Sequence, residues 1–275
     1  MNIEKTTIEI GLEKPLTVLH VTDNHLPLYD ENDSPDIVSK GKKRDREAAL
    51  TAIQEEMAYG TENCDLIVHS GDLIDFVSGA NVAFAQNILK NEKMLFIAGN
   101  HEYWRCDGGI EDMNYRLTSM GRLQELNVKL MFTSRVVGGV NFVGIDDAYH
   151  QVEAWQTERL RMEIEKGYPV VLFLHAPLFE QSLYDASVSF WHDGSAYLAG
   201  CDEAHLIQYP EILAAGQRPN ADTKRFAEYV NREKQIKAVL AGHVHFGFES
   251  RLPGGTMQYV TARGDRGNVR ELTIL

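Results

Sequence analysis

Seven side chains with the donor atoms of a metal site are scattered through this chain, each soon after an apolar run of strand length. Leu16-Thr17-Val18-Leu19 leads to Asp23-Asn24-His25, and Leu66-Ile67-Val68 leads to Ser70-Gly71-Asp72-Leu73-Ile74-Asp75. Met94-Leu95-Phe96-Ile97 leads to Gly99-Asn100-His101-Glu102, residues 170–174 lead to His175, and Ala238-Val239-Leu240 leads to Gly242-His243-Val244-His245. Open α/β sheets place their ligands at the carboxyl ends of strands. One Gly-Asp pair after a strand is ordinary turn chemistry. Five such strand ends in order need another explanation.

Asp, His and Asn supply oxygen and nitrogen donors that suit divalent Mn, Fe, Zn, Co or Ni. A single ion takes three or four of them, and Asp23, His25, Asp72, Asn100, His175, His243 and His245 exceed that number. The surplus points to two ions, about 3.5–4 Å apart, bridged by one carboxylate, for which Asp72 is the natural candidate. Water between two such cations becomes a nucleophile near neutral pH, and the same ions polarise a phosphoryl oxygen. Asp75, three residues beyond Asp72, is placed to orient a group beside the ions.

Together, Asp23-x-His25, Gly71-Asp72-x-x-Asp75, Gly99-Asn100-His101-Glu102, His175 and Gly242-His243-x-His245 resemble the five-block signature of the calcineurin-like metallophosphoesterases, spread from residue 23 to residue 245. The resemblance implies an α/β fold, a four-layer α/β/β/α sandwich with two mixed sheets. It implies that Asp23, His25, Asp72 and His245 hold one metal ion and that Asp72, Asn100, His175 and His243 hold the other. His101 would touch the phosphoryl group and act as general acid for the leaving alkoxide, with Asp75 hydrogen-bonding and orienting it. The protein Ser/Thr phosphatase branch carries Arg-Gly after the second aspartate and Arg before the third block. Here Phe76-Val77 and Ala98 occupy those places, which sets that branch aside.

The implied activity is hydrolysis of a phosphomonoester or phosphodiester by attack of a metal-bridging hydroxide. A nuclease of the same superfamily is one competing reading. A non-catalytic metal-binding scaffold on this fold, as in the retromer subunit that resembles the family, is another. A scaffold has no chemical reason to keep His101 and the ligands of the second ion, so catalysis is favoured. The net charge of −13, from 27 Lys and Arg against 40 Asp and Glu, argues against broad contact with a nucleic-acid backbone. A small phosphorylated substrate remains compatible, because bound cations reverse the local field.

The 275 residues, 44% apolar, are expected to form one domain over 1–275, with 178–222 as a cap over the site. That stretch is long, aromatic and without a clean period, as functional loops often are. Residues 1–9 lack the apolar region of a secretory signal, and no apolar run approaches membrane-spanning length. Cys64, Cys106 and Cys201 lie far apart, fitting a reducing cytoplasm without a disulfide framework. Cytoplasmic location is the resulting expectation.

Helices are expected over 46–59, 154–166 and 223–233, and over a short segment capped by Asn81. Leu117, Met120, Leu123 and Leu126 have the spacing of a packed helix face. Strands are expected at 8–10, 16–21, 128–132, 135–137, 140–145, 246–251, 257–261 and 269–274. The charged connection around Lys42, Lys43 and Arg44 reads as solvated. His20 and His69 read as satisfied core histidines, and His150, His192 and His205 as surface residues. Arg263 and Arg266 fit either pairing with a substrate phosphate or surface pairing with Asp265 or Glu271. Trp104 and Trp191 fit either a stacking role or a packed cap.

Overall fold

In the computed structural model the inner strands bury both faces, and alternation of their side chains sorts the core into layers. The structure describes residues 1–275 apart from Glu111, Met113, Asp193, Gly194, Gln208, 210–213 and Ala215. Along β2 (Leu16–Val21), Leu16 and Val18 enter one apolar cluster while Leu19 and Val21 enter another. In β7 (Val170–Phe173) and β8 (Ile236–Ala241), Val171, Phe173, Ala238 and Leu240 join Leu16 and Val18, whereas Leu172, Val239 and Ala241 face away. The period-two pattern therefore serves two sheets packed face to face, each covered by helices outside.

The first sheet runs β1 (Asn2–Ile8), β11 (Asn268–Ile274), β2, β3 (Leu66–His69), β4 (Met94–Phe96), with only the β11–β2 pair antiparallel. The second runs β5 (Phe132–Val137), β6 (Val140–Ile145), β7, β8, β10 (Met257–Val260), β9 (Phe248–Arg251). Its four inner strands are parallel and its two edge strands antiparallel. Helices α2 (Arg46–Asn63), α3 (Gly79–Ile88) and α4 (Asn114–Leu123) cover the first sheet through Ala49, Ile53, Val82, Ala85 and Leu123. Helices α5 (Ala154–Ile164) and α8 (Ala221–Arg232) cover the second through Leu160, Ile164, Phe226 and Val230. This is the four-layer arrangement of two mixed sheets that the sequence implied.

Short side-chain caps set the helix starts. Asp45 receives the Ala48 amide at 3.1 Å, and Asn220 receives that of Thr223 at 2.8 Å. The first strand runs over Asn2–Ile8 and not over 8–10, and three further local expectations need correction. Ser78, not Asn81, caps α3; Asn81 instead bonds Leu28 N and Phe76 O, tying the helix to the loop after β2. The strands expected at 128–132 and 135–137 are one strand, β5, which pairs unbroken with β6 from Phe132 to Val137. Leu117 faces solvent, 79% exposed, while Leu123 and Leu126 carry the packing.

Within the stretch 178–222, α6 (Gln181–Trp191) and the short α7 (Glu203–Leu206) are ordered around an apolar cluster of their own. Leu183, Tyr184, Leu198, Leu206 and Tyr209 pack there against Val244 and Val260 of the second sheet's end. Asp193, Gly194, Gln208, 210–213 and Ala215 of this stretch lie outside the described residues. Helix α1 (Pro35–Gly41) interrupts the charged connection after β2. No described helix is long and apolar enough to cross a membrane.

Candidate metal centre

The loops after β2 and β3 run side by side beyond the end of the sheet. Ser70 N bonds Val21 O at 3.0 Å, Asp23 N bonds Gly71 O at 3.0 Å, His25 N bonds Asp72 O at 2.8 Å, and Leu26 N bonds Leu73 O at 2.9 Å. These bonds hold Asp23, His25 and Asp72 in the left-handed region, and His243 and His245 share it, with φ from 45° to 68°. Such conformations are costly for residues other than glycine and persist where surrounding structure over-determines them. Gly71, at φ 103°, has no room for a Cβ, which would run into the Gly99 backbone. A Cβ on Gly242 would strike Thr22 and the Asp23 carboxylate. The strand ends are thus pressed close enough for their side chains to meet.

They meet in two groups that share Asp72, beside a third in which His25, Asp75 and His101 come together. In one, Asp23, His25, Asp72 and His245 place a donor atom apiece within 4.8 Å of one another; in the other, Asp72, His175 and His243 do so. His25 Nε2 lies 3.0 Å from His245 Nε2 and 3.8 Å from Asp72 Oδ2, and His245 Nε2 lies 3.5 Å from Asp23 Oδ1. His175 Nε2 lies 3.4 Å from Asp72 Oδ2, 3.1 Å from Asn100 Oδ1 and 3.1 Å from His243 Nδ1. Donors at about 2.0–2.2 Å from one tetrahedral ion stand about 3.3–3.6 Å apart. The spacing therefore fits two ions.

The chemistry of the donors fits as well. Asp23 Oδ2 is satisfied by Thr22 Oγ1 at 2.8 Å and His243 N at 2.9 Å, yet its buried Oδ1 finds no hydrogen bond among the described residues. An oxygen left so while facing two imidazoles is what a cation would use. Burial opposes charge on His175, but Asp72 and Asp23 overcome it and lift its pKa to about 10. A proton there does part of a cation's work. Burial also drives His243 and His245 well below the usual histidine range, leaving lone pairs to offer. Burial opposes the charge on Asp72 too, but His175 and His101 hold it well below the usual carboxylate range.

His101 stands beside the two groups that share Asp72 without joining them. Its Nδ1 lies 2.8 Å from the carbonyl oxygen of Asp75 and 3.1 Å from the Asp75 carboxylate, leaving Nε2 3.9 Å from Asp72 Oδ2. Burial lowers its pKa, but Asp72 and Asp75 outweigh burial and raise it to about 9. Its side chain is 12% exposed, against 0% for Asp75, so the imidazole is the part open to a visiting molecule. A cavity of about 190 Å³ opens there, lined by Asp72, Asn100, His101, Ile110, Trp191, Tyr197, His243 and His245.

Several supporting residues were not assigned a role from sequence. Glu102 receives the amides of Asp72 at 2.7 Å, Gly99 at 2.6 Å and Ile74 at 3.1 Å, so one carboxylate ties the second and third blocks together. Arg44 makes a two-pronged pair with Asp75, 2.9 Å on each arm. The solvated connection expected around it instead reaches the site. Asp147 receives the amides of His175 and Ala176 at 2.8 and 3.0 Å. It follows β6, so the rule that found the other blocks would have found it. His150 was expected on the surface and is fully buried, its Nε2 3.0 Å from His243 Nε2. Burial pushes it down to about 3, so it sits there neutral.

The remaining assignments follow their chemistry. His20 is satisfied by Thr261 and Ser70 at 2.8 Å each, and His69 by Asn24 at 2.8 Å. His192 is exposed and His205 half-buried against Phe179 and Tyr184. Arg263 pairs with Asp265. Trp104 bonds Gly108 O at 3.0 Å and packs edge-on to His101, ring centres 5.5 Å apart. Trp191 leans on His245 with ring centres 5.3 Å apart.

Comparison with known proteins agrees with this architecture. The family model described as calcineurin-like phosphoesterase matches residues 16–247. A dimetal phosphatase from Danio rerio superposes with a TM-score of 0.52 at 12% identity, covering 93% of this chain and 91% of that one. A phosphopantetheinyl hydrolase from Mycobacterium tuberculosis gives 0.44 at 13% identity, covering 91% and 90%. A 5'-nucleotidase from Candida albicans gives 0.41 at 13% identity, covering 90% of this chain and 45% of that one. At these identities the first likeness speaks to fold alone, and the other two carry no argument. A search of curated protein sequences finds no match.

Proposed function

The chain belongs to the calcineurin-like phosphoesterase family, and from that premise we propose that it hydrolyses a small phosphate ester with two divalent ions. The observation that carries this reading is the meeting of two donor groups at Asp72, with the imidazole of His101 beside them at the cavity. Asp23, His25, Asp72 and His245 would hold one ion, and Asp72, Asn100, His175 and His243 the other. When bound, the ions would supply an activated water and polarise the phosphoryl group.

The chain's own residues account for the rest. Asp75 fixes His101 through Nδ1, so that Nε2 is the atom left to give a proton to the leaving alkoxide. Arg44 holds the Asp75 carboxylate from the other side, which keeps that orientation. The elevated pKa of His101 owes much to Asp72. A cation on Asp72 would offset that attraction and bring His101 toward neutral pH, where proton donation is most effective.

The cavity of about 190 Å³ is smaller than the roughly 300–1,000 Å³ typical of sites for drug-sized ligands. A phosphate group with a compact leaving group suits it, with Ile110, Trp191 and Tyr197 as its apolar wall. We take residues 178–222 as a cap on a catalytic domain spanning the chain, since Trp191 and Tyr197 come from that stretch. The charge of −13 counts against a polynucleotide substrate.

The test is a paired assay on Mn-reconstituted protein with metal content measured on the same sample. Turnover of p-nitrophenyl phosphate or of bis-p-nitrophenyl phosphate by protein holding two ions supports the reading and separates monoesterase from diesterase. Two ions with no turnover of these or of a panel of natural phosphate esters would favour a scaffold instead.

A further inference from the structure

The turn after β6 touches both histidines of the second group, and nothing in the proposed reaction uses it. Asp147 takes the His175 amide at 2.8 Å, fixing the backbone of one. His150, three residues on, is bound back to that turn by its own amide, 2.7 Å from Asp147 O, and is held at φ 58°. Its ring is fully buried, with Nε2 3.0 Å from Nε2 of His243. The other nitrogen of His243, Nδ1, points the opposite way, 3.1 Å from His175 Nε2. Tyr197, whose side chain lines the cavity, stands edge-on to His243 with ring centres 6.1 Å apart.

A neutral imidazole has one N–H and one lone pair. For His243 to offer Nδ1 to a cation, its proton has to sit on Nε2, and that proton needs an acceptor in a place water does not reach. The facing atom is His150 Nε2, whose own proton then resides on Nδ1. We propose that His150 is a positioning residue for the second ion: it selects the tautomer and ring plane of His243. The inference rests on the reading of the two groups as metal sites. Partners of this outer kind change metal affinity by about 10–100-fold when removed.

The test titrates the metal-free full chain with Mn²⁺ by calorimetry and counts bound metal, in the wild type, His150→Phe and His150→Gln. Phenylalanine keeps the ring and removes the acceptor; glutamine returns an oxygen near the position of Nε2. We expect His150→Phe to weaken one of two ions about 10–100-fold, with the other ion unchanged, and His150→Gln to recover most of the loss. A phenylalanine variant that binds both ions as tightly as the wild type overturns the role, as does a glutamine variant as weak as the phenylalanine one. Nitrogen NMR of labelled histidines in the Zn-loaded wild type reads the tautomers without any variant. Protons on His243 Nε2 and His150 Nδ1 support the proposal, and the opposite pair overturns it. A wild type that binds no metal would instead remove the reading beneath it.

Discussion

The loops that carry the candidate ligands and the stretch 178–222 beside them are held by different forces. After β2 and β3 the chain is pinned backbone to backbone, amide by amide, from Ser70 N on Val21 O to Leu26 N on Leu73 O. That ladder is what keeps Asp23, His25 and Asp72 at positive φ. Among the described residues of 178–222, Leu183, Leu198, Leu206 and Tyr209 pack into a small core of their own, with a single backbone bridge at Leu178 and Ala199. Apolar packing accepts substitutions of similar volume, whereas a strained ligand loop accepts few. On the proposed function the ladder would bind the metal and the packed stretch would choose the substrate, and the two should be separable by mutation.

The sharpest break is expected at Asp72, the carboxylate common to both groups. Asp72→Ala should abolish retention of both ions and drop turnover to background, measured by elemental analysis and assay on one sample. A variant that keeps two ions would refute the shared role. His101→Ala should lower turnover by about 10²–10⁴-fold while metal content stays at the wild-type level. Equal loss of metal and activity would place His101 among the ligands and contradict its assignment as proton donor.

A pH effect tests the scaffolding of the ladder. Glu56 is fully buried and receives Asn24 Nδ2 at 2.8 Å, and Asn24 in turn meets His69 at 2.8 Å, beneath the ligand loops. Burial pushes its carboxyl from 4.5 up to about 8. The folded state therefore binds a proton that the unfolded state has lost between those two values. The stabilisation is complete below about pH 4.5 and declines as pH rises through 8. Its upper bound is about 5 kcal/mol. Glu56→Gln should melt higher than wild type at pH 8–9 and converge with it near pH 4.5; parallel curves across that window would argue against a buried neutral acid.

The smallest effect belongs to the packed stretch. Trp191→Ala should change KM by about 2–10-fold, in proportion to an aromatic contact, and should leave metal content alone. If it empties a metal site instead, the separation between ladder and cap fails.

Sequence made the strand ends plain because each apolar run stops just before a residue with a metal-binding atom, and strand alternation follows from burial on both faces. It also led to the mixed two-sheet architecture through the resemblance carried by those blocks. The supports were harder to see, since Arg44 approaches Asp75 from a charged connection that reads as solvated. His150 looks polar in its local sequence, and only the order β6, β7, β8 within one sheet buries it against His243. Asn81 looked like a cap because caps and loop ties use the same side-chain chemistry; Ser78 sits where the helix begins. The stretch 178–222 was opaque because its helices pack on one another and on Val244 and Val260, contacts that leave no simple period.

The most direct test of the account is electron paramagnetic resonance of the Mn-reconstituted chain with the metal counted in the same tube. Two Mn²⁺ per chain with the exchange-coupled spectrum of a bridged pair are predicted, because Asp72 belongs to both groups. One ion per chain, or two that give the spectrum of isolated Mn²⁺, would contradict a centre built around that shared carboxylate.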